Sequence, residues 1–254
     1  MTTLTLLTKI VDQAQLKKIS SALNFSFKGL EVEATILGEV ADRWVQIALA
    51  GEDEGIATNY LIKEIGVCPG IFGNIKKFST LKGYIKNIGK KGEGPLIDVG
   101  IFQPKIVYAT IDLRRLQAQL VDGRKISSVK IAELFGLCED LPISVKVNDL
   151  NEEECRIDAE LSSKQITKYV VWRESLLDRL LVLGPTLHEV KVTIEHAKLE
   201  RDVIDVEPLG LLEHALTCKL GTDAAGLMPK IGRNLRNVQF AVFNPKVLRD
   251  FLRA

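Results

Sequence analysis

The order of its short periodic segments limits what this chain can fold into more than any single motif does. TLTLLTKI alternates and is rich in Thr and Leu, so it reads as a strand. DQAQLKKISSALNF places Leu16, Ile19 and Leu23 on one helical face, with Asp12 at the N-cap. LEVEATILGEV and RWVQIALAG read as two strands around a short turn. EDEGIATNYLIKEIG is a helix whose first-turn acids suit the helix dipole, and Gly66 is placed to end it. Strand, helix, strand, strand, helix is the order of a ferredoxin-like α+β unit, assigned to residues 1–72. VCPGIFGN, with two glycines and a proline, reads as a linker.

The middle of the chain changes character. LKGYIKNIG pairs with PLIDVGI across KKGEG, and KIVYATI adds a third strand. LRRLQAQL and SVKIAELFGL read as helices, and LPISVKVND as a closing strand. Short strands with a helical insertion predict a small OB-like β-barrel over residues 76–148.

CRIDAELS is expected to open a third unit, an α+β domain over residues 153–254. Ser162 and Gln165 form a capping-box pattern before KQITKYVVWRESLLDRLLVLG, a long helix with Ile166, Val170, Leu176, Leu177 and Leu180 on its buried stripe. HEVKVTIEHA and DVIDVEPLG read as a hairpin, LLEHALTCKLG as a helix, and VQFAVF as a last strand before a short terminal helix. This repeats the strand-helix-strand-strand-helix-strand order, so the C-terminal unit is also expected to be ferredoxin-like. The overall expectation is α+β.

The formal net charge of +1 conceals an asymmetry. Residues 1–75 carry 6 Lys/Arg against 9 Asp/Glu, residues 76–148 carry 13 against 7, and residues 149–254 carry 15 against 17. A basic middle between acidic flanks points to a polyanionic ligand for the middle. The charge concentrates in Lys76–Lys91, which holds six lysines and no acid, with Phe78 and Tyr84 among them. In LKGYIKN, Leu81, Gly83 and Ile85 point one way along the strand, and Lys82, Tyr84 and Lys86 the other. An aromatic ring between ammonium groups suits a single-stranded nucleic acid, with stacking for a base and charge for its phosphates. Lys90, Lys91, Lys105, Arg114 and Arg115 extend the expected site, with Tyr84 as its stacking platform.

GYIKNIGKKGEGPLIDVGI, IVYATIDLRRL and ISVKV together resemble the RNA-binding OB module of the S-one type. The resemblance implies RNA as the preferred ligand. Tyr84 would stand for one member of the aromatic pair in the module's first hairpin, where the second strand offers Ile97 and Val99. Over most of its length the chain is also similar to conserved archaeal proteins with domain of unknown function 2110. MTTLTLLTKI, LAGEDEGIATNYL, LRRLQAQL with KIAELFGL, and LLEHALTCKLGTDAAGLMPKIG carry that similarity. It implies an archaeal, cytoplasmic protein and lends no reaction.

GTDAAGLMPKIGRNLRN offers a second basic site, with Lys230, Arg233 and Arg236 recurring every three residues. No catalytic residue, metal ligand set or cofactor is expected. The four cysteines are widely spaced and make no CxxC pair. Neither His196 beside Glu195 nor His214 beside Glu213 forms a pair on one face of an element. No apolar run approaches the length of a membrane span, and the N-terminus has no basic leader. The sequence therefore predicts a non-enzymatic nucleic-acid-binding protein, with RNA preferred over DNA and a single strand as its partner. The alternative is an adaptor that docks proteins of the transcription or translation machinery.

Overall fold

The computed structural model describes residues 1–89, 92–235 and 237–253. Its first unit comprises β1 (Thr2–Lys9), α1 (Ala14–Ser26), β2 (Val32–Val40), β3 (Trp44–Gly51) and α2 (Glu54–Glu64). The strands are antiparallel in the order β1-β3-β2, and a bridge between Leu6 and Val67 marks the fourth strand position beside β1. This is the ferredoxin-like order. The Asp12 carboxylate accepts the Gln15 N–H at 3.0 Å near the start of α1. Gly66, at φ +95°, turns the chain out of α2. Leu6, Ile19, Leu23, Val45, Ile47, Leu49 and Leu61 fill the core between sheet and helices. The other face of the sheet is also covered: Leu7, Lys9 and Trp44 point away from the helices and are buried.

The expected linker is structured. Its β4 (Gly70–Ile71) pairs in parallel with Ile101 and Gln103 at the margin of the central sheet, and Cys68 is buried. The central unit continues with β5 (Thr80–Asn87), β6 (Leu96–Gln103), β7 (Val107–Ile111), α3 (Leu113–Leu120), α4 (Ser128–Phe135), β8 (Pro142–Asn151), β9 (Arg156–Leu161) and α5 (Ser163–Ser175). Strands β5, β6, β7, β9 and β8 close into a five-stranded barrel, with β7 and β9 parallel and every other barrel pair antiparallel. With its helices between β7 and β8, this is the OB-like barrel the sequence predicts. At Gly83, β5 and β6 approach so closely that a β-carbon would collide with the Asp98 carbonyl oxygen. Asp112 and Ser127 cap α3 and α4 with their side chains, and Gly136 ends α4 in the left-handed region.

The strand expected to open the third unit instead completes this barrel. Residues 156–161 alternate as read, but they pair with β8 and β7. Alternation identifies a strand and says nothing about which sheet receives it.

The last unit comprises β10 (Arg179–Leu183), α6 (Leu187–His196), β11 (Val203–Pro208), β12 (Glu213–Cys218), α7 (Ala224–Gly232), β13 (Gln239–Phe243) and α8 (Pro245–Arg253). Its antiparallel order β11-β12-β10-β13 is again ferredoxin-like. Four of its elements differ from the sequence reading. The long helix stops at Leu176, whose φ of 57° is left-handed, and RLLVL is β10. HEVKVTIEH is α6, because Thr186 and Glu189 close a capping box and Val190 and Ile194 fall one turn apart. EHALTC is β12, buried at every position and therefore without alternation. GTDAAGLMPKIG, to which the sequence reading assigns no regular element, contains α7, capped by Asp223. The buried face of α5 also differs: Tyr169 and Trp172 carry it, while Leu176 is 43% exposed. Leu181, Leu183, Ala215 and Phe243 pass through the back of the last sheet into the barrel's core, against Phe135, Tyr169 and Trp172.

Candidate nucleic-acid interface

The alternation of β5 is as predicted, but its second face meets protein. Leu81 and Ile85 pack into the barrel core. Lys82, Tyr84 and Lys86 point outward, and at Tyr84 that side is where the three units join. Tyr84 is only 1% exposed, its ring edge-on to Trp44 at 5.5 Å. Its hydroxyl donates to Glu213 Oε2 at 3.0 Å and lies 3.3 Å from the Leu7 carbonyl oxygen. Tyr84 is thus no stacking platform, because the first and third units close over it.

Lys86 does not face solvent alone. Its Nζ lies 2.7 Å from Asp42, which also takes Lys9 at 3.1 Å. Burial pushes the Asp42 carboxyl up, but the bond from Lys86 and the charge of Lys9 more than offset it and hold it below the usual carboxylate range. Lys9, itself buried, reaches Asp98 at 2.6 Å, and Trp44 Nε1 donates to the same Asp98 oxygen at 3.2 Å. Arg43 grips Asp140 with two bonds of 2.7 and 3.0 Å. A recess of about 290 Å³ beside these groups is bordered by Lys9, Arg43, Asp140 and Glu213. Each of the four is already engaged by a neighbour within the protein.

Lys82 behaves differently. It is exposed, and no carboxylate among the described residues lies within ion-pair distance of it. Burial of part of its stem, then the ammonium groups of Lys164 and Lys168, lower its proton affinity, with Glu64 acting weakly the other way. The outward row continues across the barrel, since Lys82 pairs in register with Ser144, and Thr80 with Lys146. Just before β5 stands Phe78, 64% exposed, in the left-handed region at φ 67° and held there by its N–H on the Val147 carbonyl at 2.8 Å. Lys77 Nζ lies 5.5 Å and Lys146 Nζ 5.9 Å from the centre of its ring. Those two lysines also touch carboxylates at the rim, Asp149 at 2.8 Å and Glu160 at 3.5 Å.

The other expected cations are dispersed. Lys105 lies in the β6–β7 turn with its Nζ 3.3 Å from the Glu154 carbonyl oxygen. Arg114 and Arg115 are exposed on the first turn of α3, their backbone N–H groups held by Asp112. None of these three borders the recess that Lys82 borders. Lys230 and Arg233 are exposed at the end of α7 on the last unit. Lys90, Lys91 and Arg236 lie outside the described residues. The geometry adds four lysines that the sequence reading passed over. Lys77 stood beside Phe78 in the quoted basic stretch, and Lys164 and Lys168 show i, i+4 spacing on α5. Lys146 is brought in only by barrel register.

Among the described residues no group of three or more His, Cys, Asp or Glu is placed to hold a metal ion. His214 is buried, with Nε2 3.0 Å from the Pro185 carbonyl oxygen. Among the described residues no helix is long and apolar enough to cross a membrane.

Residues 3–69 match the DUF2110 N-terminal domain, residues 76–173 the DUF2110 central domain and residues 177–243 the DUF2110 C-terminal domain. The chain belongs to the DUF2110 family. A search of curated proteins gave no match. Among solved structures, an uncharacterized protein from Methanocaldococcus jannaschii is 16% identical over 35% of this chain and 95% of its own, at a TM-score of 0.24. A complex of a/eIF2alpha, aDim2p and rRNA from Pyrococcus horikoshii includes a chain 12% identical, with 49% of this chain and 64% of that one covered, at 0.26. The intact alpha subunit of aIF2 from Pyrococcus abyssi is 11% identical over 67% and 97%, at 0.27. These scores are too low to carry an argument about this chain.

Proposed function

We propose that this DUF2110 protein binds single-stranded nucleic acid, RNA before DNA, along the outer face of β5 and β8. The observation that carries the reading is the exposed Phe78 ring between Lys77 and Lys146, in line with the unpaired Lys82 on the same face of the barrel. Phe78 takes the stacking role first read into Tyr84. The preference for RNA rests on the resemblance of residues 76–148 to the S-one type of OB module. With three phosphates on Lys77, Lys82 and Lys146, log affinity falls against log salt with a slope of about −2 for a single strand. Phe78→Ala loses one stacked base, about 1–3 kcal/mol.

Fluorescence anisotropy with labelled oligouridine and oligothymidine, run from low to moderate salt, tests this. Binding that falls with salt, favours uridine and weakens in Phe78→Ala agrees with the reading. A flat salt response, or equal affinity in Phe78→Ala, refutes it.

A further inference from the structure

The row of cations ends in a recess, not on open surface. Lys82, Lys164 and Lys168 border a cavity of about 240 Å³, closed by Leu7 and Ile65 of the first unit and Leu209 of the last. Two stretches of sequence, β5 and α5, therefore bring three ammonium groups to one walled place. The convergence is felt electrostatically, because Lys164 and Lys168 are the neighbouring charges that most depress the Lys82 ammonium.

Two carboxylates share the recess. Glu207 is engaged, with Lys168 at 3.1 Å and the Trp172 indole N–H at 3.3 Å. Glu64 acts on Lys82 less strongly than either lysine does. Among the described residues neither Lys82 nor Lys164 has an ion-pair partner within the chain. Like charges gathered at one place gain most from a compact anion between them. The cavity is smaller than the roughly 300 Å³ at which pockets begin to hold drug-sized molecules, so it suits a group and not a whole nucleotide. Ser144, in register with Lys82, adds a hydroxyl at the wall.

We propose that this recess takes a phosphate monoester: the terminal phosphate of a nucleic-acid strand that lies along β5 and β8. The inference rests on the proposed function for the strand that carries the phosphate, and on the recess alone for the phosphate itself. A terminal monoester brings close to two negative charges and three acceptor oxygens at neutral pH, against one charge on an internal diester. A strand running from Phe78 past Lys82 meets the wall of Leu7 and Ile65 there and can go no further.

The test compares oligouridines with a 5′-phosphate, a 3′-phosphate or hydroxyls at both ends, on wild type, Lys164→Gln and Phe78→Ala. Lys164 is exposed, and replacing it leaves no buried charge unpaired. Inorganic phosphate against chloride at matched ionic strength, read by thermal shift, probes the recess without a strand. The expected result is about tenfold tighter binding of one phosphorylated oligomer. Lys164→Gln should largely remove that preference, while Phe78→Ala weakens all three oligomers alike and keeps it. Equal binding of the three oligomers by wild type overturns the recess and leaves the nucleic-acid reading standing. If no oligomer binds, yet phosphate raises the Tm of wild type and not of Lys164→Gln, the strand is refuted and the phosphate site is supported. No response to phosphate or to any oligomer overturns both.

Discussion

Glu213 sits where the three units meet, and its replacement by glutamine tests how that junction is held. Its carboxyl is 4% exposed, and burial pushes its pKa up from 4.5 to about 8, beyond what the Tyr84 hydroxyl and the Leu212 N–H restore. Below pH 4.5 the group is protonated both folded and unfolded. Between 4.5 and 8 the unfolded chain releases the proton while the folded chain keeps it, so stability falls as pH rises and the loss is complete once the folded group ionises. Across the whole window the loss is about 5 kcal/mol, and about 2 kcal/mol of it falls between pH 6 and pH 8. In Glu213→Gln the amide oxygen can still accept from Tyr84 and from Leu212, which lie 3.0 and 3.4 Å from Oε2. The amide does not titrate. The variant should therefore gain on wild type by about 2 kcal/mol as pH rises from 6 to 8. Denaturant unfolding at several pH values, followed by tryptophan fluorescence, measures the difference. Trp44 lies 5.5 Å from the Tyr84 ring and reports on the same junction. Parallel pH profiles for the two proteins would refute a neutral, buried Glu213.

Three further outcomes follow from the same geometry. Tyr84→Phe removes the hydroxyl that Glu213 accepts from, and should cost about 1–3 kcal/mol of stability without changing oligouridine affinity. Any selective loss of binding would return Tyr84 to the interface. Lys9→Met leaves Asp98 buried beside an apolar chain and should cost about 3–5 kcal/mol, measured by urea unfolding near neutral pH. Arg114→Ala and Arg115→Ala, on α3 and away from the Lys82 recess, should leave both the salt slope and the affinity for oligouridine unchanged.

The correct order of elements in the last unit was reached through wrong elements. The sequence reading took residues 155–162 as its first strand and the long stretch after them as its first helix. In the structure that strand belongs to the barrel, and the unit's own first strand is RLLVL, inside the expected helix. Leu177 and Leu180 are spaced three apart and so satisfy a helical stripe as well as a buried strand. Strand β12 is covered on both faces and carries no alternation to read. The signal for α6 was in the chain, in Thr186 three residues before Glu189, but the alternation of Val190, Val192 and Ile194 outweighed it. At the candidate site, the lysine-rich stretch and its exposed aromatic were both legible. Which of the two rings was exposed was not: a strand's alternation separates two faces and cannot say that a neighbouring unit covers one of them at Tyr84 and leaves Phe78 bare.

What the sequence determined by itself was local: the strands and helices of the first unit, the hairpin of the barrel, the cap at Ser162, and the charge of the middle third. These depend on residues a few positions apart, and their physics is complete within a turn or a pleat. The tertiary structure alone decided that Tyr84 would be sealed against Glu213, that Lys86 would meet Asp42, and that Lys82 would stand with Lys164 and Lys168 beside it. Those pairings join residues between 44 and 129 positions apart, or across a barrel seam, where only the closure of the sheet and the docking of its neighbours bring the charges within reach.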